Sequence, residues 1–309
     1  MNLRVPPRVA AINSFAGYGR CSTTEALPIL SAMGVQACPV PTELFSNHTG
    51  FPGFFCRDLT ELLPEYLAQW DRLGLVFDGI CCGFLGKSGQ IPIIASFLES
   101  QRKKGCPMIL VDPVMGDQGR TYRTVPPSRP DQLKKLVRLA DIITPNITEA
   151  CLLTGLSWKE KGWSQEELLQ LCQKLHALGP SRIAITGLSW QHGRTEGFSN
   201  FISLQNSDGS LVTSSVKTAS AGPSRHGTGD IFAAILTADA VLGQDFTGSV
   251  QKAASFIGDC IRASEALHIP EQEGVCFESL LGQLVPGCQP SGKATDGQPS
   301  GGESSSAMR

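Results

Sequence analysis

The chain of 309 residues is predicted to fold as a three-layer α/β/α unit with a mostly parallel central sheet and an antiparallel hairpin at the sheet edge. Two observations carry this expectation. Short apolar, β-branched runs alternate with longer helical patterns, which indicates βαβ units whose sheet is covered on both faces. Late in the chain the alternation gives way to two strand-like runs flanking Asn206-Ser207-Asp208-Gly209, a turn sequence suited to a hairpin. Length alone does not decide between one domain and two. Hydrophobic residues make up 41%, enough apolar material for a sizeable core.

Taken in order, strands are expected at residues 8–13, 36–40, 76–82, 108–112, 141–144 and 182–186. Helical patterns lie between them at 22–33, 90–104, 131–139 and 164–178. Three helix starts carry the capping-box spacing, in which a short polar residue and an acid three positions later satisfy each other's backbone donors: Ser22 with Glu25, Asn146 with Glu149, and Ser164 with Glu167. Pro28 is expected to kink the first helix. The hairpin covers 198–216, and a glycine-rich turn then leads into helices at 230–242, 248–267 and 273–284. From Pro286 onward Gly, Ser, Pro and polar residues dominate, which predicts a single domain over 1–285 and a disordered tail over 286–309. The sequence contains no internal repeat.

Several function classes are disfavoured. Net charge is −2, from 26 basic and 28 acidic residues, with no long basic run, so a nucleic-acid partner is not expected. The eleven cysteines include the adjacent pair Cys81 and Cys82 and no zinc-type Cys-x-x-Cys spacing, which reads as buried thiols in a reducing compartment. No apolar run reaches signal-peptide or membrane-spanning length, so no membrane partner is expected and the cytoplasm is the expected location. Asn47-His48-Thr49 and Asn146-Ile147-Thr148 match the glycosylation pattern but lack that secretory context.

Polar residues close four strands: Ser14, Asp112, Thr144 and Thr186. In open α/β sheets ligands bind beyond the carboxyl ends of strands, so these four imply one shared cleft. Gly227-Thr228-Gly229-Asp230 precedes an apolar helix. Two glycines let backbone approach a ligand closely, and the first helical turn presents free N–H groups and partial positive charge. That environment suits a transferring phosphoryl group, with Asp230 accepting the proton of an attacking hydroxyl. In isolation the same residues read equally well as a glycine turn and a helix cap. No P-loop, protein-kinase Asp-Phe-Gly or dinucleotide Gly-x-Gly-x-x-Gly fingerprint accompanies them.

A late Gly-Thr-Gly-Asp opening a helix resembles the anion hole of the ribokinase-like superfamily. Within it, Phe45-Ser46-Asn47-His48-Thr49-Gly50, Asp112-Pro113-Val114-Met115-Gly116-Asp117 and Ile143-Thr144-Pro145-Asn146-Ile147-Thr148-Glu149 resemble the vitamin B6 kinases, in family order across residues 8–265. The resemblance implies phosphorylation of the 5′-hydroxymethyl group of pyridoxal, pyridoxamine or pyridoxine by ATP with Mg2+, and a monovalent cation (K+ or Na+) as a further cofactor. It implies Asp230 as base, Gly227, Thr228 and Gly229 as anion hole, and Ser14, Thr49 and Phe84 at the substrate. Asp112, Asp117, Thr144, Asn146, Glu149 and Thr186 are implied at ATP, with Asp112, Asp117 and Glu149 holding metal. Phe84 departs from the tyrosine that many relatives carry, which removes a phenolic hydrogen bond. A homodimer is also implied.

His48 reads as structural and His226 as flanking the anion hole, since neither has a partner at metal-ligand spacing. Competing readings are a hydroxymethylpyrimidine kinase of the same fold and a non-catalytic pyridoxal-phosphate-binding sensor, the latter disfavoured by the intact Asp230. The missing glycine fingerprint after Asn13 disfavours a dehydrogenase-type nucleotide domain.

Overall fold

The computed structural model describes residues 5–123, 125–192 and 195–287. Its strands are β1 (Arg8–Tyr18), β2 (Gln36–Asn47), β3 (Cys56–Asp58), β4 (Gly79–Cys82), β5 (Ile109–Val111), β6 (Gly116–Asp117), β7 (Arg120–Thr121), β8 (Ile142–Ile143), β9 (Arg182–His192), β10 (Thr195–Gln205) and β11 (Leu211–Ala219). Its α-helices are α1 (Thr23–Ala32), α2 (Leu63–Arg72), α3 (Gln90–Lys103), α4 (Arg129–Val137), α5 (Ile147–Thr154), α6 (Gln165–His176), α7 (Thr228–Val241) and α8 (Phe246–Ala266).

Nine strands form one sheet in the order β11-β10-β9-β8-β5-β4-β1-β2-β3. From β2 to β9 the pairings are parallel, whereas β3, β10 and β11 pair antiparallel at the two edges. Beside this sheet, β6 and β7 make a separate two-stranded hairpin. Alternate residues of β1 serve opposite faces. Ala10 and Ile12 join the core formed with α2 to α6, while Val9 and Ala11 join the core formed with α1, α7 and α8. This is the expected three-layer arrangement, with the hairpin of β10 and β11 at one edge.

The chain runs outward from β1 in both directions, to β2 on one side and β4 on the other, so a topological switch point lies between β1 and β4. The crevice where these two strands part, at Asn13–Ser14 and Gly83–Phe84, is where such a sheet binds ligands. β1 and β2 are also irregular there. Asn13 pairs with Pro41 but Phe15 pairs with Leu44, which leaves Ser14 opposite both Thr42 and Glu43.

α7 is apolar on all sides, and Ile231 through Ala238 are buried, as expected of a helix packed within a core. Ile231, Phe232, Ile235 and Leu236 each contribute roughly 1.5–3 kcal/mol of burial free energy, so the loop that opens this helix stands on a rigid base.

Several local expectations change. The capping boxes at Asn146 and Ser164 form, but that at Ser22 does not. Ser22 has φ 58° and makes no side-chain cap, because its amide and hydroxyl bind Asp230 and Ser14 instead. α1 continues through Pro28 as a single helix. The helix expected over 273–284 is two short 3-10 segments, Glu271–Glu273 and Glu278–Leu284. Gly274 between them has φ 79° and lies against the carbonyls of Arg20 and His226, a conformation outside the right-handed helix. α2 was not expected from sequence; its proline falls in the first turn, where a missing N–H costs no helical hydrogen bond. Pro286 and Gly287 form a turn, and the rest of the expected tail, 288–309, lies outside the described residues. Among the described residues no helix is long and apolar enough to cross a membrane.

Candidate active site

Gly227 caps α7 in the left-handed region, with φ 86° and ψ −17°. A Cβ there would run into the Glu25 carboxylate, so glycine is required by both conformation and space. The turn leaves Thr228, Gly229 and Asp230 as the first helical residues, whose N–H groups have no intrahelical acceptors.

The Asp230 carboxylate is held from two sides. Its Oδ1 accepts from Asn13 Nδ2 at 2.8 Å and its Oδ2 from the Ser22 amide at 2.7 Å. Burial raises its pKa above the ordinary aspartate value, opposed by those two hydrogen bonds. Asn13 in turn ties the switch point together, because its Oδ1 accepts from the amides of Ser14 at 2.8 Å and Phe84 at 3.2 Å. Gly83 leaves room for that amide side chain.

Asp112 follows β5 and is 8% exposed. Thr144 Oγ1 donates to its Oδ1 at 3.1 Å, and its Oδ2 lies beside Gly229. Burial, with the charge of Asp230 next, pushes its pKa up to about 8. Glu149 is also buried and raised, first by burial and then by Asp112. Its Oε2 accepts from the Asn146 amide at 2.9 Å and its Oε1 from the Met115 amide at 2.9 Å. Asn146 completes the capping box and donates from Nδ2 to the Gly116 carbonyl at 2.7 Å.

Asp117 is exposed on the small hairpin and accepts from the Gln118 amide at 2.8 Å. Tyr122 is itself exposed, but its phenol is crowded by neighbouring groups and lies within electrostatic reach of Glu149, Asp117, Asp112 and Asp230. Crowding first and these charges next raise its pKa. The structure therefore gathers acidic groups around one space, but among the described residues no three of them converge as a closed metal-ligand set. Thr186 lies within β9, which runs past the expected strand end to His192. It is half-buried, its amide donates to the Pro145 carbonyl at 2.9 Å, and it bridges to Asn146 just beyond β8.

The three residues expected at the substrate are less uniform. Ser14 is buried and its hydroxyl donates to Ser22 Oγ at 2.9 Å. Phe84 is half-buried beyond β4. Thr49 is exposed on the turn after β2. That turn docks beside the anion loop: the His48 and His226 rings are 4.4 Å apart, and a Cβ at Gly50 would meet both. Gly50 N donates to His48 Nδ1 at 3.1 Å, which leaves Nε2 as the donor to the Gln272 carbonyl at 2.7 Å. His48 is held as a structural residue, and His226, immediately before Gly227, packs against it.

Sequence reasoning missed Asn13, Ser22, Glu25 and Tyr122 as members of this site. Ser22 and Glu25 carried a signal that pointed elsewhere, the capping-box spacing. Glu25 is fully buried beneath Gly227, and neither carboxylate oxygen has a hydrogen-bond partner. It closes one end of a cavity of about 270 Å³ shared with Tyr18, Arg20, Glu273, Phe277 and Glu278. Burial, then the charge of Asp230, holds its pKa well above the glutamate value.

A pKa raised on folding means that stability is greatest below the unfolded value and is lost as pH rises toward the folded one. Glu25→Gln removes that titration, so thermal melts should show the variant gaining on the parent as pH rises above the ordinary glutamate range. The gain is up to about 1.4 kcal/mol per pH unit while the folded acid stays protonated. A difference that does not change with pH would refute this assignment.

A profile of the phosphomethylpyrimidine kinase family matches residues 30–275. The pyridoxal kinase of Ovis aries is 31% identical over 242 residues, covering 75% of this chain and 76% of the relative. A Bacteroides thetaiotaomicron protein assigned to the phosphomethylpyrimidine kinases, solved in a crystal form with pyridoxal, superposes with a TM-score of 0.83 at 33% identity, over 91% of this chain and 96% of its own. The pyridoxal kinase of Leishmania donovani in complex with ADP and pyridoxamine shares the fold, with a TM-score of 0.81 at 21% identity over 90% of this chain and 95% of its own.

Proposed function

The chain belongs to the phosphomethylpyrimidine kinase family, among the pyridoxal kinases, and from that membership we propose that it transfers the γ-phosphoryl group of ATP to the 5′-hydroxymethyl group of vitamin B6. The observation that carries this reading is the Asp230 carboxylate, fixed by Asn13 and Ser22 at the opening of α7 and beside the glycine turn. A helix cap has no need of such bracing by a residue from the sheet's switch point.

In this reaction the substrate hydroxyl oxygen bonds to the γ-phosphorus, the bond to the β–γ bridging oxygen breaks, and the hydroxyl proton passes to Asp230. A base with a raised pKa is matched to that task near neutral pH and contributes about 10²–10⁴-fold. The N–H groups of residues 227–230 stabilise charge on the moving phosphoryl oxygens, which is the main demand of a loose transition state. Thr144 and Asn146, beyond the end of β8, and Thr186, beside them on β9, face the nucleotide side. Ser14, Thr49 and Phe84 form the vitamer side, which calls for few polar groups in a largely apolar surround.

Magnesium fits the donor set, because it favours one or two carboxylates together with waters and substrate phosphates over an all-protein cage. Asp112 supplies an oxygen beside Gly229 that no protein group is seen to bind, with Glu149 behind it and Asp117 on the outer hairpin. When bound, the ion would neutralise phosphate charge. A monovalent cation, a homodimeric assembly, one catalytic domain over residues 1–285 and a cytoplasmic location belong to the same reading.

Purified protein given MgATP should phosphorylate pyridoxal, pyridoxamine or pyridoxine, detected by ADP formation and by mass of the product. Hydroxymethylpyrimidine belongs in the same panel, because it is the substrate type that the family name suggests. Transfer to the pyrimidine alone would move the chain to that activity. Binding without any transfer would make it a vitamer sensor.

A further inference from the structure

Glu43 occupies the irregularity between β1 and β2. Thr42 and Glu43 both lie opposite Ser14 in the strand register, and both are buried, Glu43 at 2% exposure. Regular alternation would set them on opposite faces of the sheet. A bulge re-aims side chains and recurs beside active sites for that reason. Thr42 spends its hydroxyl on the Phe84 carbonyl at 3.3 Å. The Glu43 carboxylate rests against Gly86, on the turn that carries Phe84, and its Oε2 is buried with no hydrogen-bond partner.

The neighbouring cations Lys87 and Arg129 lie near enough to favour its charge, but among the described residues neither hydrogen-bonds to it. The Arg129 guanidinium donates to the carbonyls of Leu85 at 2.6 Å and Gly86 at 3.0 Å. Lys87 is exposed, and among the described residues Glu43 enters no ion pair. An unpaired carboxylate at this depth is costly, and a cationic donor reaching it would relieve that cost. Phe84, beside it, offers the substrate a ring face and no hydrogen bond.

We propose that Glu43 receives the protonated aminomethyl group of the amine vitamer, so that the enzyme selects pyridoxamine over pyridoxal. The ammonium is a charged donor that forms a strong, short hydrogen bond with a carboxylate. The aldehyde of pyridoxal presents only an acceptor to the same oxygens, and the hydroxyl of pyridoxine is a neutral donor between the two. This inference rests on the vitamin B6 kinase reading and names the substrate form which that reading leaves open.

The test is the ratio of kcat/KM for pyridoxamine to that for pyridoxal, measured on the parent, Glu43→Gln and Glu43→Val. A ratio does not depend on the fraction of folded enzyme. The parent should favour pyridoxamine by about tenfold or more, the scale of a hydrogen bond to a charged group. Glu43→Gln should lower the ratio at least tenfold by slowing pyridoxamine alone, with pyridoxine between the two, and Glu43→Val should shift it further toward pyridoxal. A parent that prefers pyridoxal, or variants that slow every vitamer equally, would overturn the role of Glu43 while leaving the kinase intact. A parent that phosphorylates no vitamer would remove the kinase reading, and this inference with it.

Discussion

Asp230→Asn should lower kcat by about 10²–10⁴-fold, equivalent to roughly 3–5 kcal/mol of lost transition-state stabilisation, with little change in KM. The amide preserves shape but cannot take the hydroxyl proton. It also cannot reproduce the carboxylate's contacts, because both oxygens of Asp230 accept hydrogen bonds, one from Asn13 Nδ2 and one from the Ser22 amide. An asparagine offers a single acceptor and turns a donor toward one of those donors. Folding should not suffer in proportion. Removing the charge also relieves Asp112 and Glu25, both raised by it. Steady-state kinetics beside a thermal melt separates these effects. Undiminished turnover would remove Asp230 from the reaction and leave the fold untouched.

Gly227→Ala should destabilise the protein and disable phosphoryl transfer together. A residue with a Cβ in the left-handed region costs about 1–2 kcal/mol, and here the new carbon also runs into the Glu25 carboxylate. The carboxylate has little freedom to yield, since it is fully buried under the loop. The turn must shift, and with it the N–H groups of residues 227–230. The expected result is a melting temperature lower by several degrees and kcat/KM reduced at least tenfold. Glu25→Ala in the same chain frees the space but not the backbone conformation. The double variant should therefore recover part of the stability, a coupling that a mutant cycle reads directly. Strict additivity would show that the contact with Glu25 carries no weight.

How much was legible depended on how far apart the interacting residues lie. The strand ends at Asp112 and Thr144, the hairpin of β10 and β11, and the capping boxes at Asn146 and Ser164 follow from side-chain types and spacings within a few residues, whereas β9 runs on past Thr186 to His192. The glycine turn at 227 was also visible, since few sequences need two glycines before an apolar helix. The box expected at Ser22 had the same local signature and failed. Its serine amide and hydroxyl are taken by Asp230 and Ser14, and its glutamate is packed beneath Gly227. The two-segment 3-10 ending was hidden similarly, because Gly274 is shaped by Arg20 and His226.

The sequence by itself determined the layered α/β architecture and the alternation of strands and helices along the chain, and it placed Asp112 and Thr144 directly after β5 and β8. These are properties of periodicity, turn chemistry and capping, each local in the chain. Only the tertiary structure decided which donors hold the base, that Asn13 reaches Asp230 across 217 positions, and that a bulge sets Glu43 opposite Ser14 with its carboxylate against Gly86. The reason is competition: a polar side chain satisfies whichever partner the packed sheet brings nearest, and that partner is named by strand order and register, which no local spacing encodes.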